Sequence, residues 1–409
     1  MTEWREVSLG AVCELKRGYD LPKARRVDGT VPIVSSSGVS GFHSEAKVRA
    51  PGVVTGRYGT LGEVFYITED FWPLNTALYV RDFKGNDPRF VAALLESMNL
   101  DQHDGAAAVP GLNRNQLHGL IVLVPDHLGQ AVIAATLGAL DDLIGNNRRR
   151  VEVLEDMARA IYREWFVHFR YPGHEDATFV DSPLGPIPEG WVVRAIAEIA
   201  SHHRHAVTGG PFGSKLGRKD YRDAGVPVLR GANLRVGGGF DESELVFVSE
   251  EKAEELRSSI ALPGDVVITQ RGTLGQVGLI PRGARFDRYV LSQSQMKVTV
   301  GEEIATAGFL YAQMRSWETT QRFIAQAMTA GVPHVNLALL RQFEIIVPPK
   351  ALQARFSDAA DGLWANAQGL TSQSVMLATV RDLLLPKLVT GQIDVSSLDL
   401  DALAEGLVA

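Results

Sequence analysis

Residues 57–64 read RYGTLGEV and residues 270–277 read QRGTLGQV. The side chains in and beside the shared GTLG are guanidinium, phenol, amide and hydroxyl groups with one carboxylate, Glu63, a set that donates and accepts hydrogen bonds. Val53 and Val54 precede the first string and Val64 to Ile67 follow it; Val266 to Ile268 and Val277 to Ile280 flank the second. Short β-rich runs around a glycine-containing loop predict a β-hairpin, with glycines at the positive-φ positions of the turn. Arg57, Tyr58 and Thr60 then sit near one tip, and Gln270, Arg271 and Thr273 near the other.

Further cations lie close to glycine-rich stretches: Lys16 and Arg17, Arg25 and Arg26, Lys215 with Arg218 and Lys219, and Arg230 with Arg235. In such loops Lys and Arg reach phosphates, and Ser, Asn and Gln reach base edges; ordinary solvated surface accounts for about half of such positions taken singly. Catalytic patterns are missing. No G-x-x-x-x-G-K-[ST] phosphate loop exists, and PFGSKLG at 211–217 and VPPK at 347–350 match neither cofactor loop nor catalytic tetrapeptide of an amino-group methyltransferase. Glu45-Ala-Lys47 and Glu250-Glu251-Lys252 lack the upstream acid of a nuclease. His202, His203 and His205 in SHHRH have no nearby cysteine and no helical i, i+4 pair, so a surface loop is the favoured reading over a metal site.

The loops belong to a longer repeat. VPGLNRNQLHGLIVLVP at 109–125 aligns with VPHVNLALLRQFEIIVP at 332–348 without a gap, VPIV at 31–34 with VPVL at 226–229, and the segment starting at Trp4 with that starting at Trp191. The offset grows along the chain, so the second copy carries insertions, expected in surface loops. Asn113 and Asn336 are equivalent in this alignment, and each precedes a short helical run that it could cap. Both globular copies are rich in short strands, glycine and proline.

After each copy comes a long amphipathic stretch. Ile133, Leu137, Leu140, Ile144, Asn147, Val151, Leu154, Ala158, Ile161 and Trp165 alternate spacings of four and three, a heptad seam. The second seam runs through Phe356, Ala360, Leu363, Ala367, Leu370, Ser374, Leu377, Leu384 and Leu388, interrupted by Arg381. Helices of about 37 residues would span roughly 55 Å. Each apolar stripe needs a cover, and each helix offers one to the other. They can pair parallel or antiparallel; antiparallel pairing relates the copies by a pseudo-twofold axis and is the arrangement expected, with Asn147 and Ser374 as candidate register markers. Asp141-Asp142 is read as a solvated face.

The resulting fold class is α+β: two tandem globular domains joined by two long helices forming an antiparallel coiled coil. The domains are 1–126 and 189–349, the helical spacers 127–171 and 350–391, with a Pro-rich linker at 172–188 and a tail at 392–409. The 409 residues fit two or more domains, and 45% apolar with 22% charged residues is a globular composition. One cysteine, Cys13, excludes a disulfide framework, and no leader or membrane-spanning run is read, so a soluble cytoplasmic protein is expected. The net charge of −7 falls unevenly: −2 over 1–126, −3 over 127–182, +1 over 183–349 and −3 over 350–409. Any nucleic acid would be met by local patches on the globular copies rather than by a global field.

These features together resemble the specificity subunit of type I restriction-modification systems. The resemblance is carried by TGGPFGSKL at 208–216, RGANL at 230–234, PGDVVITQRGTLGQVG at 263–278, ALDDLIGNNRRRVEVLEDMARAIYREWF at 139–166, LGPIPEGW at 184–191 and RDLLLPKLVTGQI at 381–393, which cover nearly the whole chain in the family's order. It implies two target-recognition domains that each read half of a split, asymmetric DNA site, and helices that set the spacing and dock two methylation (M) subunits. Restriction (R) subunits would join that core. Adenine N6 methylation and DNA cleavage would fall to those partners, with S-adenosylmethionine, ATP and Mg bound there and no cofactor or metal in this chain. DNA contact is then expected at Arg57, Tyr58, Asn75, Asn113, Arg114, Arg230, Asn233, Arg271, Gln293 and Asn336, beside the cations and loop residues named above. The first copy departs from the pattern, offering only KRGYDLP at 16–22 in place of TGGPFG. A protein-binding coiled-coil adaptor, or an enzyme acting on DNA by itself, are the competing readings.

Overall fold

The computed structural model describes residues 3–100, 111–235, 239–242, 245–271, 275–329 and 335–394. The chain divides into two compact units, Met1–Gly145 with Met376–Ala409, and Asn146–Val375. Each combines small sheets with segments of long helix, so the expected α+β texture holds.

In the first unit β1 (Trp4–Ser8) leads through α1 (Leu9–Val12) to β2 (Glu14–Arg17), β3 (Val31–Ser35), β4 (Gly38–His43), β5 (Gly52–Gly56), β6 (Val64–Ile67), β7 (Trp72–Pro73) and β8 (Ala77–Asp82). Helices α2 (Pro88–Ser97) and α3 (Arg114–Gly119), strand β9 (Ile121–Pro125) and α4 (His127–Tyr162) follow. One sheet has the order β2-β8-β5-β6, a second β4-β3-β7 with β3 and β7 parallel, and β1 pairs antiparallel with β9. Asp87 caps α2 by accepting from the amides of Arg89 and Phe90, and Pro88 occupies the first helical position.

The second unit repeats this plan. Its strands are β10 (Phe179–Val180), β11 (Ile187–Pro188), β12 (Val192–Ala195), β13 (Val207–Gly209), β14 (Val226–Leu229), β15 (Val246–Val248), β16 (Ile260–Ala261), β17 (Val266–Thr269), β18 (Val277–Leu279), β19 (Tyr289–Leu291), β20 (Gln295–Val298) and β21 (Glu344–Val347). Its helices are α5 (Ile196–Ile199), α6 (Glu250–Glu255), α7 (Ala307–Arg315), α8 (Trp317–Thr329), α9 (Leu337–Gln342) and α10 (Lys350–Val389). The order β13-β20-β17-β18 matches β2-β8-β5-β6, and β12 pairs with β21 as β1 does with β9. The other sheet, β15-β14-β19-β16, keeps the parallel β14–β19 contact and adds β16 at its edge. The second copy's insertions are thus partly regular structure, in α6, and not only loop; β16 occupies the place of Val48 in the first unit, which bridges Phe71 as Ala261 pairs with Tyr289.

Both hairpins form where the glycine-flanked valines predict them. Val53, Val54 and Thr55 face Tyr66, Phe65 and Val64; Val266, Val267 and Ile268 face Leu279, Gly278 and Val277. Every pair in the second hairpin is displaced from its counterpart by the distance separating the two GTLG strings. The segment read as a Pro-rich linker is more structured than a linker: β10 pairs with β11, Ile187 is buried, and Phe179 packs edge-on against Phe169.

Helices α4 and α10 span 36 and 40 residues. Within the second unit Asn147 hydrogen-bonds Gln373 at 3.0 Å and Tyr162 packs on Phe356, so the two helices run antiparallel there. Within the first unit Asp141 meets Arg381 at 3.0 Å while Leu137 shares a core with Leu385 and Leu388. Of the seam residues, Leu137, Leu140, Ile144 and Asn147 are buried, and Val151, Leu154, Ile161, Leu363, Leu370, Leu377 and Leu384 are half-buried. Asn147 finds Gln373 as its partner, while Ser374 bonds back to the Leu370 carbonyl of its own helix. Arg381, the break in the seam, is held by Asp141 and Asp382 with Glu96 at 4.0 Å; its partial burial disfavours the charge, and these carboxylates more than offset that and raise its pKa. Asp141 and Asp142 are therefore engaged, the second with Arg89 at 3.1 Å. The stretch from His127 is long and apolar enough by composition to cross a bilayer, but Ile133 and Leu137 lie in the first unit's core, and Leu140 and Ile144 are buried as well.

The two cores differ where β5 crosses β8 and β17 crosses β20. Val54 faces Tyr79 in the first unit and Val267 faces Lys297 in the second. Lys297 and Asp265 form an ion pair at 2.7 Å with side chains only 5% and 2% exposed, and Thr299 donates to the same carboxylate. Asp265 takes the place of Gly52, where a Cβ would lie 2.1 Å from the Phe71 ring. Removing one member of a buried pair strands the other charge, at a cost of about 3–5 kcal/mol. Lys297→Met should accordingly lower the stability of the second unit by about that amount and leave the first unit unchanged, read as hydrogen exchange in β17 against β5. Equal protection of β17 in the variant and the parent would show the pair to be dispensable.

Candidate nucleic-acid interface

In the first unit, four loops are joined by backbone hydrogen bonds. The Arg57 amide donates to the Thr76 carbonyl at 2.8 Å, the Leu112 amide to the Arg57 carbonyl at 3.0 Å, and the Gly18 amide to the Ala77 carbonyl at 3.1 Å. This edge brings together Lys16, Arg17, Arg57, Tyr58, Thr60, Asn75, Asn113 and Arg114. Tyr58 is 39% exposed, with the Arg57 guanidinium 4.5 Å from its ring centre. That stack presents a cation and an aromatic face as one preformed surface. Arg17 is 3.1 Å from Asp20, whose carboxylate also accepts from the Asn75 amide. Arg25 is exposed, Arg26 half-buried, and Thr60 and Arg114 exposed.

The second unit builds the same edge with the same bonds. The Gln270 amide nitrogen donates to the Ser294 carbonyl at 2.8 Å, the Val335 amide to the Gln270 carbonyl at 3.1 Å, and the Gly210 amide to the Gln295 carbonyl at 2.9 Å. Lys215, Arg218, Lys219 and Arg271 are exposed and Arg230 is half-buried. The Gln293 side-chain amide donates to the carbonyls of Gly213 and Leu216, bracing the loop that carries Lys215. Thr273 lies outside the described residues.

Two expected contact residues do not face outward. Asn233 is 1% exposed: its Oδ1 accepts from the Arg230 amide at 2.9 Å and its Nδ2 donates to the Asp241 carbonyl at 3.0 Å, so the side chain shapes the turn and is closed to a ligand. Gln270 is 6% exposed and its amide donates to the Gln293 carbonyl. Arg235, grouped with Arg230 by sequence, bonds Asp241 and the Thr371 hydroxyl on α10. Asn113 and Asn336 cap α3 and α9, accepting from the amides of Asn115 at 3.0 Å and Leu339 at 2.8 Å; both remain exposed, leaving their Nδ2 groups for another partner.

KRGYDLP turns out to be the structural counterpart of TGGPFG. A Cβ at Gly18 would lie 2.2 Å from the Leu74 carbonyl oxygen, and one at Gly210 would lie 1.8 Å from that of Ser292. Both glycines follow an edge strand, and only a residue without a side chain permits that approach. A glycine at the end of β2 and of β13 was the available signal, obscured by the unlike residues around it. His203 and His205 meet edge-on with ring centres 6.1 Å apart, and among the described residues no three His, Cys, Asp or Glu side chains are grouped to hold a metal.

Residues 1–156 match the type I restriction modification DNA specificity domain. The chain is 23% identical over 300 residues to the type I restriction enzyme MjaIX specificity subunit of Methanocaldococcus jannaschii, covering 72% of this chain and 65% of that one. It is 25% identical over 163 residues to the EcoprrI specificity subunit of Escherichia coli, covering 38% and 41%. The match therefore spans less than two thirds of the length of either relative. A type I S subunit from M. genitalium superposes with a TM-score of 0.62 at 16% identity, covering 95% of this chain and 96% of that one, and so shares the fold.

The caps allow helix stability to be separated from ligand contact. Asp caps as well as Asn, and Ala does not. Asn336→Ala should destabilise the second unit by about 1 kcal/mol and Asn336→Asp by almost nothing, measured by denaturant midpoint. If the Nδ2 group meets DNA, the Asp variant still loses affinity; unchanged binding by Asn336→Asp would assign the residue to capping alone.

Proposed function

We propose, from the match of residues 1–156 to the type I restriction modification DNA specificity domain, that this chain is the sequence-recognising, non-catalytic subunit of a type I restriction-modification complex. Each unit's loop edge reads one half of a bipartite, asymmetric DNA site. The observation that carries this reading is the duplicated edge: identical backbone bonds fix positions 57 and 270, while the exposed neighbour is Tyr58 in one unit and Arg271 in the other. A constant scaffold with different outward groups is what two unequal half-sites require, since phosphate contacts position a domain and base-edge contacts specify sequence.

The antiparallel helix contacts within each unit support the coiled-coil arrangement with pseudo-twofold repeats, in which the helices act as a spacer. Half-sites about one DNA turn apart would let both domains address one face of the duplex. The acidic helical segments are poor surfaces for DNA and suit protein docking, and we assign them to two M subunits. S-adenosylmethionine, and ATP with Mg, would be bound by the M and R partners, and the complex would act in the cytoplasm. An adaptor whose globular units bind only protein is the alternative. Selective retention of a bipartite duplex by the M–S complex, absent from M alone, excludes it. Methyl transfer from a labelled donor by the isolated chain would overturn the non-catalytic assignment.

Genome-wide mapping of methylated adenines with and without this protein gives its target as the motif lost on deletion. Against that duplex, Arg57→Ala should weaken discrimination at one half-site and Arg271→Ala at the other, each by about 1–3 kcal/mol, with assembly retained. Failure of either variant to assemble would make its loop structural. Leu154→Glu, which places a charge on the half-buried seam, should abolish assembly and binding together; a fully assembled variant would remove the seam from the docking reading.

A further inference from the structure

Phe212 is the most exposed large apolar side chain among the described residues, at 75%. It is held on a braced loop. Gly210 fits under the Ser292 carbonyl, the Gln293 amide grips the carbonyls of Gly213 and Leu216 on either side of the tip, and Leu216 is buried as the loop's anchor. Gly213 takes φ +65°, the left-handed conformation that turns the chain just after Phe212. Exposed cations follow at Lys215, Arg218 and Lys219. The same Gln293 receives at its carbonyl the amide of Gln270, which precedes Arg271, so Phe212 and Arg271 belong to one edge.

An aromatic ring kept in water by a rigid loop is unfavourable until something covers it. The cations around it select a polyanion as that partner, and the faces of nucleic-acid bases are the apolar surface a polyanion offers. The matching loop of the first unit carries no aromatic ring at this place. Counting from the paired glycines Gly18 and Gly210, the position of Phe212 is taken by Asp20, whose carboxylate is occupied by Arg17 and Asn75.

We propose that Phe212 is a base-contacting residue of the second half-site only, packing its ring against a base at a partly opened step in the manner of an apolar wedge. This rests on the recognition reading above. The second half-site then carries a ring contact at this place that the first lacks, although the two edges share one scaffold.

The test uses the M–S complex and duplexes carrying the motif found by methylation mapping, each with one abasic position in the second half-site. Phe212→Ala is expected to assemble normally and bind the intact duplex about 10-fold more weakly, which is about 1.4 kcal/mol, with Phe212→Leu recovering part of the loss. At one position the abasic duplex should weaken the parent by a similar factor and leave Phe212→Ala unchanged, because the contact is already gone. Abasic positions in the first half-site should weaken parent and variant equally. Binding of every duplex by Phe212→Ala within twofold of the parent would overturn the proposal, and so would a loss equal at all positions. Absence of selective binding by the parent complex would instead sink the recognition reading itself.

Discussion

Each unit's β structure leaves an apolar face that its shorter helices and the ends of both long helices fill. In the first unit Leu385, Leu388 and Val389, from the end of α10, lie in the same core as Leu9, Phe90 and Ile133. In the second, Tyr162, the last residue of α4, and Phe166, in the π-helical turn that continues it, lie with Phe309, Phe343 and Phe356. The helix that leaves one repeat therefore completes the core of the next unit, and each side chain so buried contributes about 1.5–3 kcal/mol. Everything on the loop edges depends on this closure, because the sheets that carry them are only three or four strands wide and need a packed helix behind them.

The closure also explains how variable side chains can sit on a fixed edge. Position 57 or 270 both donates and accepts through its backbone, and position 18 or 210 admits no side chain at all. Loop placement is thereby set by main-chain bonds and steric contact, which survive substitution of the outward residues. The Arg57–Tyr58 stack can become a buried Gln270 beside an exposed Arg271 without moving the scaffold.

Much of this was legible in the sequence, and the limits have physical causes. The hairpins were readable because glycine and β-branched residues act within a few positions; the seams because burial on a helix repeats every three to four residues. Asn113 and Asn336 could be assigned as candidate caps from position alone. Asn233 and Gln270 could not be assigned as buried: their amides are satisfied by the carbonyls of Asp241 and Gln293, and no local pattern states which polar residue will find a partner inside. Arg381 looked like damage to a seam because its neutralising partner, Asp141, lies 240 residues away. The glycine pair of the two entry loops was hidden for a related reason, since a close approach is a property of two segments and only one of them is written as glycine.

Duplication and divergence act on different layers of the molecule. The registers of the two hairpins coincide, yet the crossing that holds β5 to β8 is apolar, with Phe71 over Gly52, while the matching crossing in the second unit is an ion pair between Asp265 and Lys297. Neither solution transplants into the other unit by a single change: an Asp at position 52 would collide with Phe71, and a Gly at 265 would leave Lys297 charged and alone. Once two cores are committed to incompatible packings, single substitutions no longer make the halves alike. The exposed positions face no such barrier, because Tyr58, Arg271, Asp20 and Phe212 make at most local surface contacts, such as those of Asp20 with Arg17 and Asn75, and are not locked into a core. That difference in constraint is sufficient to keep one architecture while its two faces acquire separate chemistry.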